Sequence, residues 1–313
     1  MSRTLPELLT PTEGELGLAS GDHESVGAAT LAAWDTFLVA VMNLDPNAAT
    51  RADGSSVRDL LVPLGVWPDS RRLVGILADA KSGRLWSADD QSRPARLIAA
   101  HRDVGQREIM AALETARNDL ADWLAGDEQW PLGDWGLREA ASPVGPLPVL
   151  TLIHGLCYQL ATVSLDLQPA GCPVDDNLLL LGLVALVDMM GAFIARTGTT
   201  GSLSAVGTQI VVGTGSREHA WRTAVLDTSD TRTLGPTVVG ATDVLLDVTS
   251  GRANAAKLYA RGELRVHDLT GMAALLPVLE QVPGIPAVAS FGRAATVIAR
   301  ASDMLSRFPF RRG

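Results

Sequence analysis

The sequence predicts an α+β fold, an N-terminal helical bundle followed by a small domain of strands and helices. Three observations predict it. Apolar residues recur at intervals of three and four through long stretches up to about residue 196, as they do in helices that bury one face. After Gly198 the texture changes to short runs rich in Val, Ile and Thr bounded by glycines, which read as strands. The chain has 313 residues, 47 % apolar and 19 % charged, with mean hydropathy +0.17, enough core for two ordinary domains. The expected division is residues 1–198, with 1–22 an irregular leader, and residues 199–313.

Glu24 to Leu44 sets Val26, Ala29, Ala33, Phe37, Val41 and Leu44 on one helix face and stops at Asp45-Pro46. Ser55 and Ser56 stand as caps before a shorter helix, Val57 to Leu61, whose pattern Pro63 interrupts. Pro94 to Gly126 reads as the longest helix, with Leu97, Ile98, His101, Val104, Ile109, Leu113, Ala116, Leu120 and Leu124 on a drifting apolar stripe and Gly126 as its C-cap. Residues 127–148 mix prolines, glycines and tryptophans and read as one long connection, the kind of loop that often carries function. Val149 to Leu167 and Asn177 to Arg196 are helical and are divided by Gln168-Pro169-Ala170-Gly171-Cys172-Pro173.

Beyond the boundary, Leu203 to Val212 and Ala220 to Leu226 are expected strands and Thr237 to Gly240 a third. Asp243 to Thr249 is a short helix ending at Gly251, Glu263 to His267 alternates again, and Met272 to Leu279 and Ala287 to Arg307 are helical.

A formal net charge of -9 and pI near 5.0, with no cluster of Lys and Arg, exclude nucleic acid as the expected partner, since phosphate binding needs such clusters. Cys157 and Cys172 have no metal-knuckle or disulfide spacing, which fits a reducing compartment, and the expected location is the cytoplasm. The first residues carry acids where a signal peptide has a basic region. Leu178 to Ala195 is very apolar, yet Asp188 near its middle makes it a buried bundle helix rather than a membrane span.

Residue spacing along the chain carries few signatures of chemistry. No two of the five histidines stand at i, i+4, so no helix face offers a pair of imidazoles to a metal. Gly213-Thr214-Gly215 follows a strand, but Glu218 takes the place of the third glycine of a dinucleotide fingerprint and strand continues after it. There is no G-x-S-x-G elbow. Cys157 reads as a small buried hydrophobe and His154 as a core or interface histidine. Asp188 either meets an arginine in the core or faces a polar cavity. Arg217 and Arg222 are read as flanking Trp221 on one strand, one pointing in and one out.

Three segments carry a resemblance. Ser55-Ser56-Val57-Arg58-Asp59-Leu60-Leu61-Val62-Pro63-Leu64-Gly65-Val66-Trp67 resembles the R-D-h-L-x-H-L helix of the mycothiol-dependent maleylpyruvate isomerase family, whose N-terminal domain is a DinB-like bundle. Tyr158 to Gly171 is similar to that family's later E-x-x-x-H-x-x-D-L helix, with Asp166 and Leu167 in register. Val239 to Arg252 and Ala260 to Val266 resemble the sterol-carrier-protein-like domain that often follows the bundle.

The resemblance implies a divalent metal, usually zinc, held by three bundle side chains. Those positions here are Pro63, Gln159 and Val163, and neither proline nor valine offers a donor. His154 lies roughly half a turn round its helix from Val163, and His101 alone would make a poor zinc site. The expectation is a bundle without the metal and without a cofactor, whose cavity, or a site between the domains, takes an apolar small molecule and rearranges or cyclises it. Pro63, Gln159, Val163 and Arg222 are the candidate pocket residues. A non-catalytic ligand-binding or scaffold protein is the alternative, and zinc with mycothiol enters only if the family's isomerase or thiol-transferase chemistry is retained. Oligomeric state is not legible.

Overall fold

The structure is a computed structural model that describes residues 8–21, 23–68, 72–126, 128–143, 145–226 and 235–279. The chain divides into two units, Leu16–Met189 and Met1–Glu15 together with Met190–Gly313.

The first unit opens with a 3₁₀ turn, Gly17–Ser20, and helix α1, His23–Val41, which buries Val26, Thr30, Ala33, Trp34, Phe37 and Val41. Val57–Leu61 forms α2 behind a reciprocal cap: Ser56 Oγ accepts the Asp59 N–H, and the Asp59 carboxylate accepts the Ser56 N–H at 2.8 Å. Pro63 does what its ring dictates, tightening the chain into a 3₁₀ turn, Val62–Leu64, instead of a further α turn. Helix α3, Arg72–Ser82, falls in a stretch where composition gave no strong signal.

The single helix expected over Pro94 to Gly126 is instead two, α4, Ala88–Ala100, and α5, Gln106–Gly126. Ser87 and Asp90 form a second reciprocal cap and start α4 six residues before Pro94, which lies inside it. The helix stops at His101, whose N–H closes back on the Leu97 carbonyl, and Glu108 then caps the Gly105 N–H at 2.9 Å to start α5. Gly126 ends α5 at φ +117, a conformation that favours glycine.

The stretch expected as one irregular connection, 127–148, contains a one-turn helix α6, Leu132–Trp135, and a two-residue antiparallel ladder of β1, Glu139–Ala140, on β2, Leu147–Pro148. Helix α7, Val149–Asp166, then packs along α1, and α8 covers Asp176–Arg196. Both are long and apolar enough to cross a membrane, but 67 % and 72 % of their most apolar windows are buried within the protein, so packing accounts for their composition.

The second unit is built on a five-stranded sheet ordered β5-β4-β3-β6-β7. Its strands are β3, Gly201–Val206, β4, Val211–Arg217, β5, Ala220–Leu226, β6, Thr237–Gly240, and β7, Leu264–His267. All neighbours are antiparallel except β3 and β6. The run Leu203 to Val212 is two strands rather than one, split by a turn in which the Gly207 N–H reaches the Ile210 carbonyl at 2.8 Å. Arg217 and Arg222 do not share a strand: Arg217 ends β4, exposed, and Arg222 sits on β5 across the hairpin. Helices α9, Thr242–Thr249, α10, Ala255–Arg261, and α11, Leu269–Leu279, complete the described part. The helix expected at Ala287 to Arg307 lies outside the described residues.

The described chain is thus a mixed helix-and-sheet protein with helices preceding the main sheet, the α+β class the sequence predicts.

Candidate functional site

Four helices of the first unit leave a small apolar opening. Trp34 comes from α1, Leu73 and Ile76 from α3, Ala116, Asp119 and Leu120 from α5, and Ile153 and Leu156 from α7, with Val66 closing one side. Each arrives there through its helical period: Ala116 and Leu120 are one turn apart, as are Leu73 and Ile76. The opening encloses about 20 Å³, room for about one water. Eight of its nine lining residues are apolar, and Asp119 is the charged one.

Trp34 is the largest side chain lining this opening. The residue is 1 % exposed, and among the described residues its Nε1–H has no hydrogen-bond partner. A buried indole N–H normally finds an acceptor, and leaving one unmade costs about 1–3 kcal/mol. Phe37 stands edge-on to the ring, with centroids 6.4 Å apart. Helix α3 is the least anchored wall, with Leu73 and Leu77 buried and Val74 on the same helix 41 % exposed.

A second polar group lies in the core of the same unit. His154 and Asp188 are both buried, with Nδ1 3.9 Å from Oδ2, and Asp188 Oδ1 accepts the Leu18 N–H at 3.2 Å. The structure thus sets a core histidine and a backbone amide beside the buried carboxylate. Thr151, one turn before His154, is buried too.

Cys157 is fully buried on α7, and burial pushes its thiol up to about 12, with a hydrogen bond from Thr30 opposing the shift. Burial likewise pushes Cys172 up to about 11. Neither sulfur is a thiolate at neutral pH.

Of the candidate pocket residues from the sequence, Gln159 and Val163 lie one turn apart on α7, while Pro63 and Arg222 lie on other elements. Pro63 is half-buried in its 3₁₀ turn, Gln159 and Val163 are half-buried on α7, and none of the three lines the opening. Arg222 belongs to the second unit, where Glu15 holds its guanidinium with two bonds of 2.7 Å. His101 caps α4 and stacks on Trp67 with ring centroids 4.1 Å apart. Sequence reasoning missed Trp34 as a site residue, because an apolar helix position predicts burial and says nothing of whether an indole N–H finds a partner.

The positions that the family resemblance would give to a metal do not suit one, since Pro63 and Val163 carry no donor atom. Among the described residues no three His, Cys, Asp or Glu side chains group as metal ligands.

No protein-family model matches the chain, and no curated protein matches it. Among solved structures, the mycothiol-dependent maleylpyruvate isomerase is similar with a TM-score of 0.48 and 11 % identity, covering 82 % of this chain and 96 % of that one. A mutant of the same enzyme gives 0.47, with the same identity and coverage. At that distance the likeness assigns no residue and no activity to this chain.

Proposed function

We propose that the helical unit binds a small, mostly apolar molecule that carries one hydrogen-bond acceptor. The observation that supports this reading is Trp34, which lines the opening together with seven other apolar side chains and whose indole N–H has no hydrogen-bond partner among the described residues. Apolar walls with a few fixed polar groups, here the Trp34 indole and the Asp119 carboxylate, are how small-molecule sites combine affinity with orientation. A ligand larger than a water enters by displacing α3, the wall with the fewest buried side chains. The reading routes no step through a metal or a thiol, because Pro63 and Val163 offer no donor and Cys157 stays protonated. It places the protein in the cytoplasm, in keeping with two free buried cysteines.

The test uses matched pairs of small cyclic ketones and hydrocarbons added to the full chain, with melting temperature as readout. The ketone of each pair is expected to stabilise more, and Trp34→Phe is expected to erase the difference while leaving the hydrocarbon effect. If neither class raises the melting temperature, or if ketone and hydrocarbon act equally on the wild-type chain, the reading is wrong.

A second reading, docking of a protein partner, draws on Leu85 and Trp86, neighbours that are 68 % and 38 % exposed. A stable complex with a co-purified protein, lost in Trp86→Ser, would favour it.

A further inference from the structure

Residues 8–15 lie on the sheet of the second unit as a bound peptide would. One face of β4 presents Val211, Gly213 and Gly215, and the register sets Leu226, Ala224 and Arg222 of β5 opposite them. On the other side β3 adds Val206, Ser204 and Ser202. The middle of this face is therefore a floor of glycine and serine between three apolar residues, Val206, Val211 and Leu226, at one end and an arginine at the other.

Leu9 fills the floor. Its Cδ1 would stand 2.9 Å from a Cβ at Gly213, and its carbonyl oxygen would collide with a Cβ at Gly215. Leu9, Val211 and Leu226 form a buried cluster, with Leu8, Val206 and Ala224 packed against it. Six residues further on, Glu15 closes the other end. Its carboxylate takes Arg222 Nε and Nη2 at 2.7 Å each, and its backbone carbonyl accepts the Trp221 N–H at 2.9 Å. Thr12 folds the stretch between these anchors, donating its N–H to the Glu15 carboxylate at 2.8 Å. Glu15 and Arg222 are 207 positions apart, so the segment is held to the sheet by these contacts and not by short-range chain connection.

We propose that this face is a peptide-recognition groove, which residues 8–15 occupy as an intramolecular ligand. It accepts in trans a segment that takes the same turned path, with an apolar side chain for the glycine floor and a carboxylate six residues later for Arg222. The tethered copy normally wins because its effective concentration is in the millimolar range or above. A bidentate arginine–carboxylate pair supplies geometric selectivity at one end, and the glycines admit backbone too close for any side chain at the other.

The test disables the tethered segment in the full chain with Leu9→Ser and Glu15→Gln, then adds a fluorescein-labelled peptide, Leu-Leu-Thr-Pro-Thr-Glu-Gly-Glu, and reads anisotropy. The double variant is expected to bind the peptide, with the wild-type chain at least tenfold weaker. Replacing the peptide's last Glu by Gln, or Arg222→Gln in the protein, is expected to weaken binding by about tenfold. Gly215→Val is expected to abolish it. A folded double variant that ignores the peptide at millimolar concentration overturns the proposal.

If the double variant does not fold, hydrogen exchange on the wild-type chain decides. The Trp221 amide, bonded to the segment, is then expected to exchange by local opening, faster than the β4 amides bonded to β3. Equal protection of the two sets means that the segment is inseparable from the sheet and overturns the groove.

Discussion

Arg84→Gln isolates what holds α3, the movable wall of the proposed site. Arg84 bridges the two sides of the loop after that helix. Its Nε and Nη2 reach the Asp79 carboxylate on α3 at 2.7 and 2.6 Å, and its Nη1 and Nη2 reach Asp90 on α4 at 2.5 and 3.0 Å. The Asp90 side chain is 2 % exposed and that of Arg84 37 %. In the variant Asp90 keeps Arg93 and the two Ser87 donors, so it is not left as a bare buried charge. Charged hydrogen bonds contribute about 1.5–3 kcal/mol when buried and about 0–1 when the partner is exposed. With Arg84 half in solvent, the net loss at neutral pH is expected to be roughly 2 kcal/mol.

The pH dependence of that loss follows from Asp90. The hydrogen bonds from Arg84 hold its carboxyl well below the usual carboxylate range, against the upward push of burial, and Ser87 helps. A group whose folded pKa is depressed stabilises the fold above its unfolded value, about 3.9, and loses that contribution as pH falls toward the folded value. Wild type and Arg84→Gln share one unfolded state, so their difference is the same at pH 7 and pH 5 and shrinks only where the folded variant's own Asp90 begins to take up a proton. Urea unfolding followed by far-ultraviolet circular dichroism at pH 7, 5 and 3 measures it. A difference under about 0.5 kcal/mol at pH 7, or one that grows as pH falls from 7 to 3, would refute the reasoning.

Three further outcomes are expected. Iodoacetamide at pH 7.5 should leave both Cys157 and Cys172 unmodified in the native chain, since burial pushes their thiols up to about 12 and 11; labelling within minutes would contradict the assigned burial. Ser56→Ala removes half of the cap on α2 and should cost about 1 kcal/mol in chemical denaturation, and a change within a few tenths would show that Asp59 caps alone. Gly191→Ala places a methyl against Thr214 Oγ1 and 2.7 Å from Trp221 Cδ1, so a loss of about 1–3 kcal/mol is expected, and an unchanged midpoint would mean that β4 and β5 yield freely.

The sequence reveals the class of this fold and most of its helices because helical burial leaves a local period. Val26, Ala33, Phe37 and Val41 mark α1 and are all buried there. Periodicity fails where two helices share one stripe. Leu97 and Ile109 fit a single drifting face, but the break between them is made by His101 leaving helical geometry into a turn closed by the Val104 N–H on its carbonyl, and by Glu108 capping Gly105, short polar contacts that do not disturb an apolar count. Ser87 and Asp90 did carry a start signal, the S-x-x-D spacing of a reciprocal cap, and it outweighs Pro94 as the marker of where α4 begins. Glycine turns inside apolar runs had the same effect on the sheet, since Leu203 to Val212 looks continuous until Gly207 folds back.

The site was less legible because it depends on what side chains lack. A tryptophan on an apolar face predicts burial; that the Trp34 N–H lacks an acceptor among the described residues emerges only when four helices are assembled around it. Gly213-Thr214-Gly215 makes the same point with the opposite sign. Two glycines after a strand suggest a phosphate loop, because glycine lets a backbone approach another molecule closely. Here the close approach is real and the molecule is the chain's own: Leu9 comes down on both glycines, on the face where Arg222 receives Glu15. The residue type encoded contact at backbone distance, and only the register of β4 with β5 says what is being contacted.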